Sequence, residues 1–210
     1  MIRLLIVDDH AVVREGLKQI FSDTSDIVVA DEASSAEEAI NKIIENNYDV
    51  ILTDISMPGR GGLELLQEIK EINPELRVLI LSMHPEQQYA LRALKAGASG
   101  YLTKNTPPEE LIKAIRKIAQ GRRYITETVS EQMADDLSKD TSKPLHETLS
   151  DREYQTMRLI ASGKTVSGIA KELSLSVKTV STYRSRILVK MNMKNNAAIT
   201  YYAIKQGLVD

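Results

Sequence analysis

The run Ile2-Arg3-Leu4-Leu5-Ile6-Val7 stops abruptly at Asp8-Asp9-His10, and this junction decides the fold. A short, nearly all-apolar run reads as a strand covered on both faces, and carboxylates just past its end belong on a sheet edge. Four similar runs follow, Ile27–Ala30, Val50–Thr53, Val78–Leu81 and Gly100–Leu102. Between them apolar residues recur at helical spacing: Val13, Leu17, Ile20 and Phe21; Ile40, Ile43 and Ile44; Leu111, Ile112, Ile115 and Ile118. Five strand–helix repeats predict an α/β domain with a parallel five-stranded sheet and helices on both faces. Ser34 with Glu37, and Thr106 ahead of Pro107, Pro108 and Glu109, are expected to cap two of the helices.

Beyond this region the pattern changes. Thr126 to Leu137 fits one helix, and Ser138 to Pro144 is polar and aperiodic, as a flexible linker would be. From Ser150 the pattern is purely helical. Ser150 and Glu153 form a capping box, Gly163 closes the first helix, and further helices are expected over about Val166–Leu173, Val177–Met191 and Asn196–Gln206. The division is residues 1–121, 122–147 and 148–210. The net charge of −2 hides an asymmetry, with residues 1–121 at −6 and 149–210 at +6. A basic, all-α module behind an acidic one points to nucleic acid. The chain has no Cys, which excludes disulfides and thiolate chemistry and suits a cytoplasmic setting. No run is long enough to span a membrane, and the first apolar run is too short for a signal peptide.

In open parallel sheets the ligand crevice lies at the carboxyl ends of the strands. There the sequence places Asp8 and Asp9 after the first strand, Asp54 after the third, Ser82 after the fourth and Lys104 after the fifth. An all-oxygen carboxylate cluster without His or Cys suits Mg2+, which can neutralise and orient a phosphoryl group. An Asp carboxylate is then a competent nucleophile, giving an acyl phosphate. Lys104 can pair with phosphoryl oxygens, and the Ser82 hydroxyl can bond one of them. A single Asp at a strand end is more often a helix N-cap, but the full set in chain order is hard to obtain by accident.

Val7-Asp8-Asp9-His10, Thr53-Asp54-Ile55-Ser56-Met57-Pro58-Gly59, Leu81-Ser82 and Gly100-Tyr101-Leu102-Thr103-Lys104 together resemble the receiver domain of two-component response regulators. The resemblance implies a flavodoxin-like (βα)5 fold and Asp54 as phosphoacceptor, served by a sensor histidine kinase. It implies Asp9 as a direct Mg2+ ligand, Asp8 acting through water, and the backbone carbonyl of Ser56 as a further ligand. It also implies Ser82 and Tyr101 as a switch pair that remodels the fourth-helix to fifth-helix face. Met83 and His84 are individual to this chain. His84 and Ser56 flank the expected path of a hydrolytic water, so Met83 and His84 either set the lifetime of the phosphoryl group or merely cover the sheet.

In Val177–Met191, the residues Val177, Val180, Ile187, Leu188 and Met191 make an apolar face, opposite a short polar stripe flanked by cations and free of acid. Small hydroxyls permit close approach to base edges, and cations reach phosphates. Leu149–Glu153, Ile169–Leu173, Leu175–Val180 and Gly207–Val209 resemble the LuxR-type helix-turn-helix, and the whole chain is similar to the NarL/FixJ family; Thr165-Val166-Ser167 and Tyr183-Arg184-Ser185-Arg186 resemble its GacA/UvrY subgroup. That resemblance implies four helices, with Ser181, Thr182 and Ser185 near bases of double-stranded DNA. Lys178, Thr179, Arg186 and Lys190 fall near phosphates. Asn196, Ala197 and Tyr201 fall at a homodimer contact, formed on phosphorylation, that reads inverted half-sites. Two other readings are an aspartyl-phosphate phosphohydrolase, whose D-x-D spacing this chain lacks, and a pseudo-receiver that binds DNA constitutively.

Overall fold

The computed structural model describes residues 1–138 and 144–209. They form two compact units, Met1–Asp136 and Leu137–Asp210. The first alternates strand and helix throughout: β1 (Ile2–Val7), α1 (Ala11–Ser22), β2 (Ile27–Ala33), α2 (Ala36–Glu45), β3 (Val50–Asp54), α3 (Gly62–Ile72), β4 (Arg77–Ser82), α4 (Glu86–Lys95), β5 (Gly100–Thr103) and α5 (Pro108–Ala119). All strand pairs are parallel, in the order β2-β1-β3-β4-β5. β3 is buried at every residue, because helices cover both of its faces. Leu4, Ile6, Leu52, Leu79 and Leu81 pack with Leu17 and Phe21 of α1 and with Leu111 and Ile115 of α5. Burial on this scale is the main drive to fold.

Register then places the carboxyl ends side by side. Val7 pairs with Thr53, Asp54 with Leu81, and Ser82 with Thr103. The strand order reverses between β1 and β3, which opens a crevice above the sheet at that point. Gly62 opens α3 against it. A Cβ at Gly62 would lie 2.0 Å from the Asp54 carbonyl oxygen, so only glycine allows this approach.

Two cap expectations need correction. Ser35, not Ser34, caps α2, accepting from the Glu38 N–H; Ser34 instead donates to the Glu38 carboxylate. Pro107 stands at the N-cap of α5 without any side-chain cap, so Thr106 does not serve there. In both cases the chain enters the helix one residue later than the motif suggests. After α5, Tyr124 donates its N–H to the Ser99 carbonyl and is 6% exposed within the core. The next helix, α6 (Glu127–Ser138), is tied at its start by Thr126 Oγ1 donating to Glu86 Oε2 at 2.6 Å. Residues 122–136 therefore pack with the first unit. Of the stretch read as a flexible linker, residues 139–143 lie outside the described residues.

The second unit follows a short 3-10 turn at Leu145–Thr148 with α7 (Asp151–Ala161), α8 (Val166–Glu172), α9 (Val177–Lys190) and α10 (Asn196–Lys205). The Ser150–Glu153 capping box forms as expected. Gly163, at φ 80°, follows the end of α7, and Ser174, at φ 54°, makes the tight turn between α8 and α9. Tyr154, Met157, Ile160, Ile169, Val180, Ile187 and Ile199 are buried in this unit.

Candidate phosphoacceptor site and nucleic-acid interface

Each acidic side chain at the crevice is placed by a strand end. Asp8 is 2% and Asp54 4% exposed, and Lys104 reaches both, with Nζ 2.6 Å from Asp8 Oδ2 and 3.1 Å from Asp54 Oδ2. Asp54 Oδ1 accepts the Ile55 N–H at 2.8 Å. Burial pushes the Asp54 carboxyl above the usual carboxylate range and the Asp8 charge adds to this; the Lys104 ammonium and the Ile55 N–H oppose it. Burial acts to lower Lys104, but Asp8 and Asp54 outweigh it and hold the ammonium above its ordinary value.

Asp9 differs from its neighbour. Its Oδ1 is buried and has no hydrogen-bond partner; His10 Nδ1 lies 3.0 Å away, but not in hydrogen-bonding geometry. A buried carboxylate oxygen left unsatisfied is costly unless a cation meets it. Donor atoms of Asp8, Asp9, Asp54 and His10 all lie within 4.8 Å of one another. Three carboxylates and one ammonium sum to −2, the complement of a divalent ion. The hard oxygen donors fit Mg2+, whereas the His10 imidazole suits softer metals. His10 was not foreseen as part of the site. It steadies Asp8 by donating its backbone N–H to Asp8 Oδ1 at 2.9 Å.

Ser82 is fully buried and accepts the His84 N–H at 3.1 Å. Tyr101 is 2% exposed and turned inward, its hydroxyl donating to the His84 carbonyl at 2.9 Å. Burial raises the Tyr101 phenol well above its usual value, so it remains a donor. His84 Nε2 lies 3.1 Å from Ser56 Oγ, joining the two loops across the crevice mouth, and its ring stands 5.0 Å from that of Tyr89. Met83 is 67% exposed.

In the second unit, α9 presents Lys178, Ser181, Thr182, Ser185 and Arg186 to solvent while Val180 and Ile187 turn inward. Thr182 and Ser185 donate to the carbonyls of Lys178 and Ser181, leaving their oxygen lone pairs outward.

Residues 4–116 match the response regulator receiver domain family, and residues 147–203 match the bacterial regulatory proteins of the luxR family. The chain belongs to the LuxR-type response regulators. The response regulator UvrY of Escherichia coli K12 is 39% identical over 209 residues, covering 99% of this chain and 96% of that protein. Response regulator GacA of Pseudomonas protegens is 37% identical over 210 residues, covering 100% and 99%. RcsB of Salmonella enterica serovar Typhimurium, bound to promoter rprA in the presence of the phosphomimetic BeF3-, superposes with a TM-score of 0.66 at 26% identity, over 96% of this chain and 97% of that one. The protein is thus a DNA-binding transcription regulator built as a receiver followed by a LuxR-type domain.

Not every expected residue of this response regulator stands free. Lys190 Nζ is bonded to Glu153 Oε2 at 2.6 Å, and the Glu153 side chain is only 3% exposed, so Lys190 anchors α9 to α7 before it could meet a phosphate. Thr179 bonds the cap hydroxyl of Ser176 at 2.8 Å. Asn196 Oδ1 accepts from Arg184 Nε at 2.6 Å, which ties α10 to α9; Ala197 and Tyr201 remain exposed, Tyr201 at 70%. Val177, expected on the apolar face, is 52% exposed: it is the first residue of α9, and the buried positions of that helix begin at Val180. Gly168 lets α8 start tightly, its N–H donating to the Thr165 hydroxyl; a Cβ there would crowd that oxygen at 3.3 Å.

Proposed function

We propose that this regulator is switched by transfer of a phosphoryl group from a phosphohistidine of a sensor kinase to Asp54. The observation that carries this reading is the buried Asp54 carboxylate beside Lys104, with an unsatisfied Asp9 oxygen in the same crevice. Mg2+, held by Asp9, Asp54 and the Ser56 carbonyl, with Asp8 acting through water, would supply charge neutralisation to the transferring group. The Asp54 oxygen forms the new O–P bond as the donor N–P bond breaks. Lys104 leaves its pair with Asp54 to hold a phosphoryl oxygen, and the Ser82 hydroxyl takes another. Ser82 and the 83–86 loop then move together, because the His84 N–H is bonded to Ser82 and the His84 carbonyl to Tyr101. Glu86, at the end of that loop, is bonded to Thr126 at the start of α6, which leads to the DNA-binding unit. The protein's only catalytic chemistry in this reading is its own phosphorylation and dephosphorylation.

In the output unit, Ser181, Thr182 and Ser185 enter the major groove while Lys178, Thr179 and Arg186 contact phosphates. Lys190 joins the phosphate contacts only in addition to its bond with Glu153. The exposed Ala197 and Tyr201 of α10, with Asn196 bonded beneath them, form a homodimer contact that matches inverted half-sites. Work in the cytoplasm fits this role, and among the described residues no helix is long and apolar enough to cross a membrane.

Intact-mass measurement after incubation with acetyl phosphate tests the switch. A phosphoryl adduct that requires Mg2+ and disappears in Asp54→Ala is expected. An adduct that survives that substitution would overturn Asp54 as acceptor.

A further inference from the structure

Arg14 lies one turn into α1, a position whose physics is unfavourable for a cation. The amino-terminal end of a helix carries partial positive charge, and the first turn of α1 holds no acidic residue to offset it. The site across the loop would also hold a metal cation. Yet the Arg14 side chain, 15% exposed, turns back toward that site. Its Nη1 donates to the Asp8 carbonyl oxygen at 2.7 Å, and its Nε lies 3.3 Å from Glu32 Oε2 at the end of β2. Glu32 also faces Lys18 Nζ at 3.3 Å.

The Asp8 carbonyl belongs to the peptide that joins Asp8 to Asp9. Every other polar group of Asp8 is also engaged: its N–H donates to the Ala33 carbonyl, Oδ1 accepts from the His10 N–H, and Oδ2 accepts from Lys104. Asp8 is held on all sides, while Asp9 Oδ1 is left without a hydrogen bond. With its carbonyl held, the 8–9 peptide is restrained against rotation, and with it the backbone from which the Asp9 side chain projects.

We propose that Arg14 is a positioning residue for the metal site: it fixes the Asp8–Asp9 peptide and thereby aims Asp9 at the cation. The inference rests on the Mg2+ reading of the crevice. Outer-shell partners that orient a ligand typically contribute about 10- to 100-fold to metal affinity. A guanidinium suits this position because its fork serves the carbonyl and Glu32 at once, whereas a lysine has one nitrogen for both.

The test is a Mg2+ titration of the full-length chain, read as the rise in unfolding temperature that a ligand of the native state produces. The chains compared are the wild type, Arg14→Ala, Arg14→Lys, Glu32→Gln and Asp9→Ala. Asp9→Ala should abolish the response, which shows that the signal reports this site. Arg14→Ala should need about 10-fold more Mg2+ for half its response. Arg14→Lys should also be weakened, and it decides the matter if the alanine variant does not fold. Glu32→Gln, which spares the Asp8 bond, should stay within about threefold of wild type, well short of that outer-shell effect. Folded Arg14 variants that titrate with wild-type midpoints would overturn the proposal. So would a loss in Glu32→Gln equal to that in Arg14→Ala, since the clamp on the carbonyl would then not be the cause. A wild type that ignores Mg2+, or an Asp9→Ala chain that responds normally, would instead sink the metal reading, and the proposal with it.

Discussion

At the residue scale, His84 and Gly62 bear on the crevice in different ways, one through a side chain and one through the backbone. In the proposed switch, the contact of His84 Nε2 with Ser56 Oγ lies across the path of the water that hydrolyses the acyl phosphate. Removing the imidazole in His84→Ala should shorten the phosphoryl half-life about fivefold, equivalent to ~1 kcal/mol of barrier. A chase of the phosphorylated protein by mass measures this, and an unchanged half-life would remove His84 from the mechanism. Met83 lies at 67% exposure in the same loop, outside the bridge, so Met83→Ala should have the smaller effect on that half-life. Gly62 acts on the backbone instead. The methyl of Gly62→Ala would meet the Asp54 carbonyl at 2.0 Å, so β3 and α3 must part. A loss of about 1–3 kcal/mol is expected in urea unfolding, with slower phosphorylation of Asp54. The acidic residues and Lys104 were legible in the sequence because each follows a recognisable strand. Ser56 and His84 were legible as flanking the path of a hydrolytic water, but the hydrogen bond between them and the part of His10 were not, because those links join loops that are adjacent only after folding.

At the scale of elements, α9 is held by side chains as well as by its apolar face. Lys190 ties it to α7 through Glu153, and Arg184 ties it to α10 through Asn196. Burial opposes ionisation of Glu153, but Lys190 and the Ser150 N–H outweigh it and hold the carboxyl below its ordinary value. A carboxyl depressed in the folded state contributes stability that is present above its unfolded value of 4.5 and lost as pH falls through the folded value. The Lys190 tie should therefore weaken below about pH 4.5. Lys190→Ala leaves a buried carboxylate without its cation. It should cost about 1–2 kcal/mol near neutral pH, less than a fully buried pair because Lys190 itself is part-exposed. The deficit relative to wild type should shrink as pH falls toward 4, measured by thermal unfolding across pH. If it did not, Lys190 would not stabilise the fold through Glu153.

At the scale of the whole molecule, the charges of the two ends diverge: net −6 over residues 1–121 and +6 over 149–210. Cations concentrated in the output unit give it the long-range attraction to DNA, and this attraction is screened by salt. Lys178 is exposed on α9. Its removal in Lys178→Ala should weaken binding to specific and random duplexes alike. The slope of log affinity against log salt should become shallower by about one unit. Fluorescence anisotropy over a salt series reads both, and a sequence-selective loss with an unchanged slope would place Lys178 at a base edge instead.

The sequence alone determined the alternation of strands and helices, the carboxylates at strand ends and the basic helical module. All three follow from local periodicity and from residue types at fixed offsets, which need no knowledge of distant partners. Only the tertiary structure decided how those groups are shared out: each polar atom of Asp8 bonded and Asp9 Oδ1 not, Lys190 paired with Glu153, Arg14 turned onto the Asp8 carbonyl. Such pairings depend on register and on elements far apart in the chain, where a shift of an ångström or two changes which donor meets which acceptor.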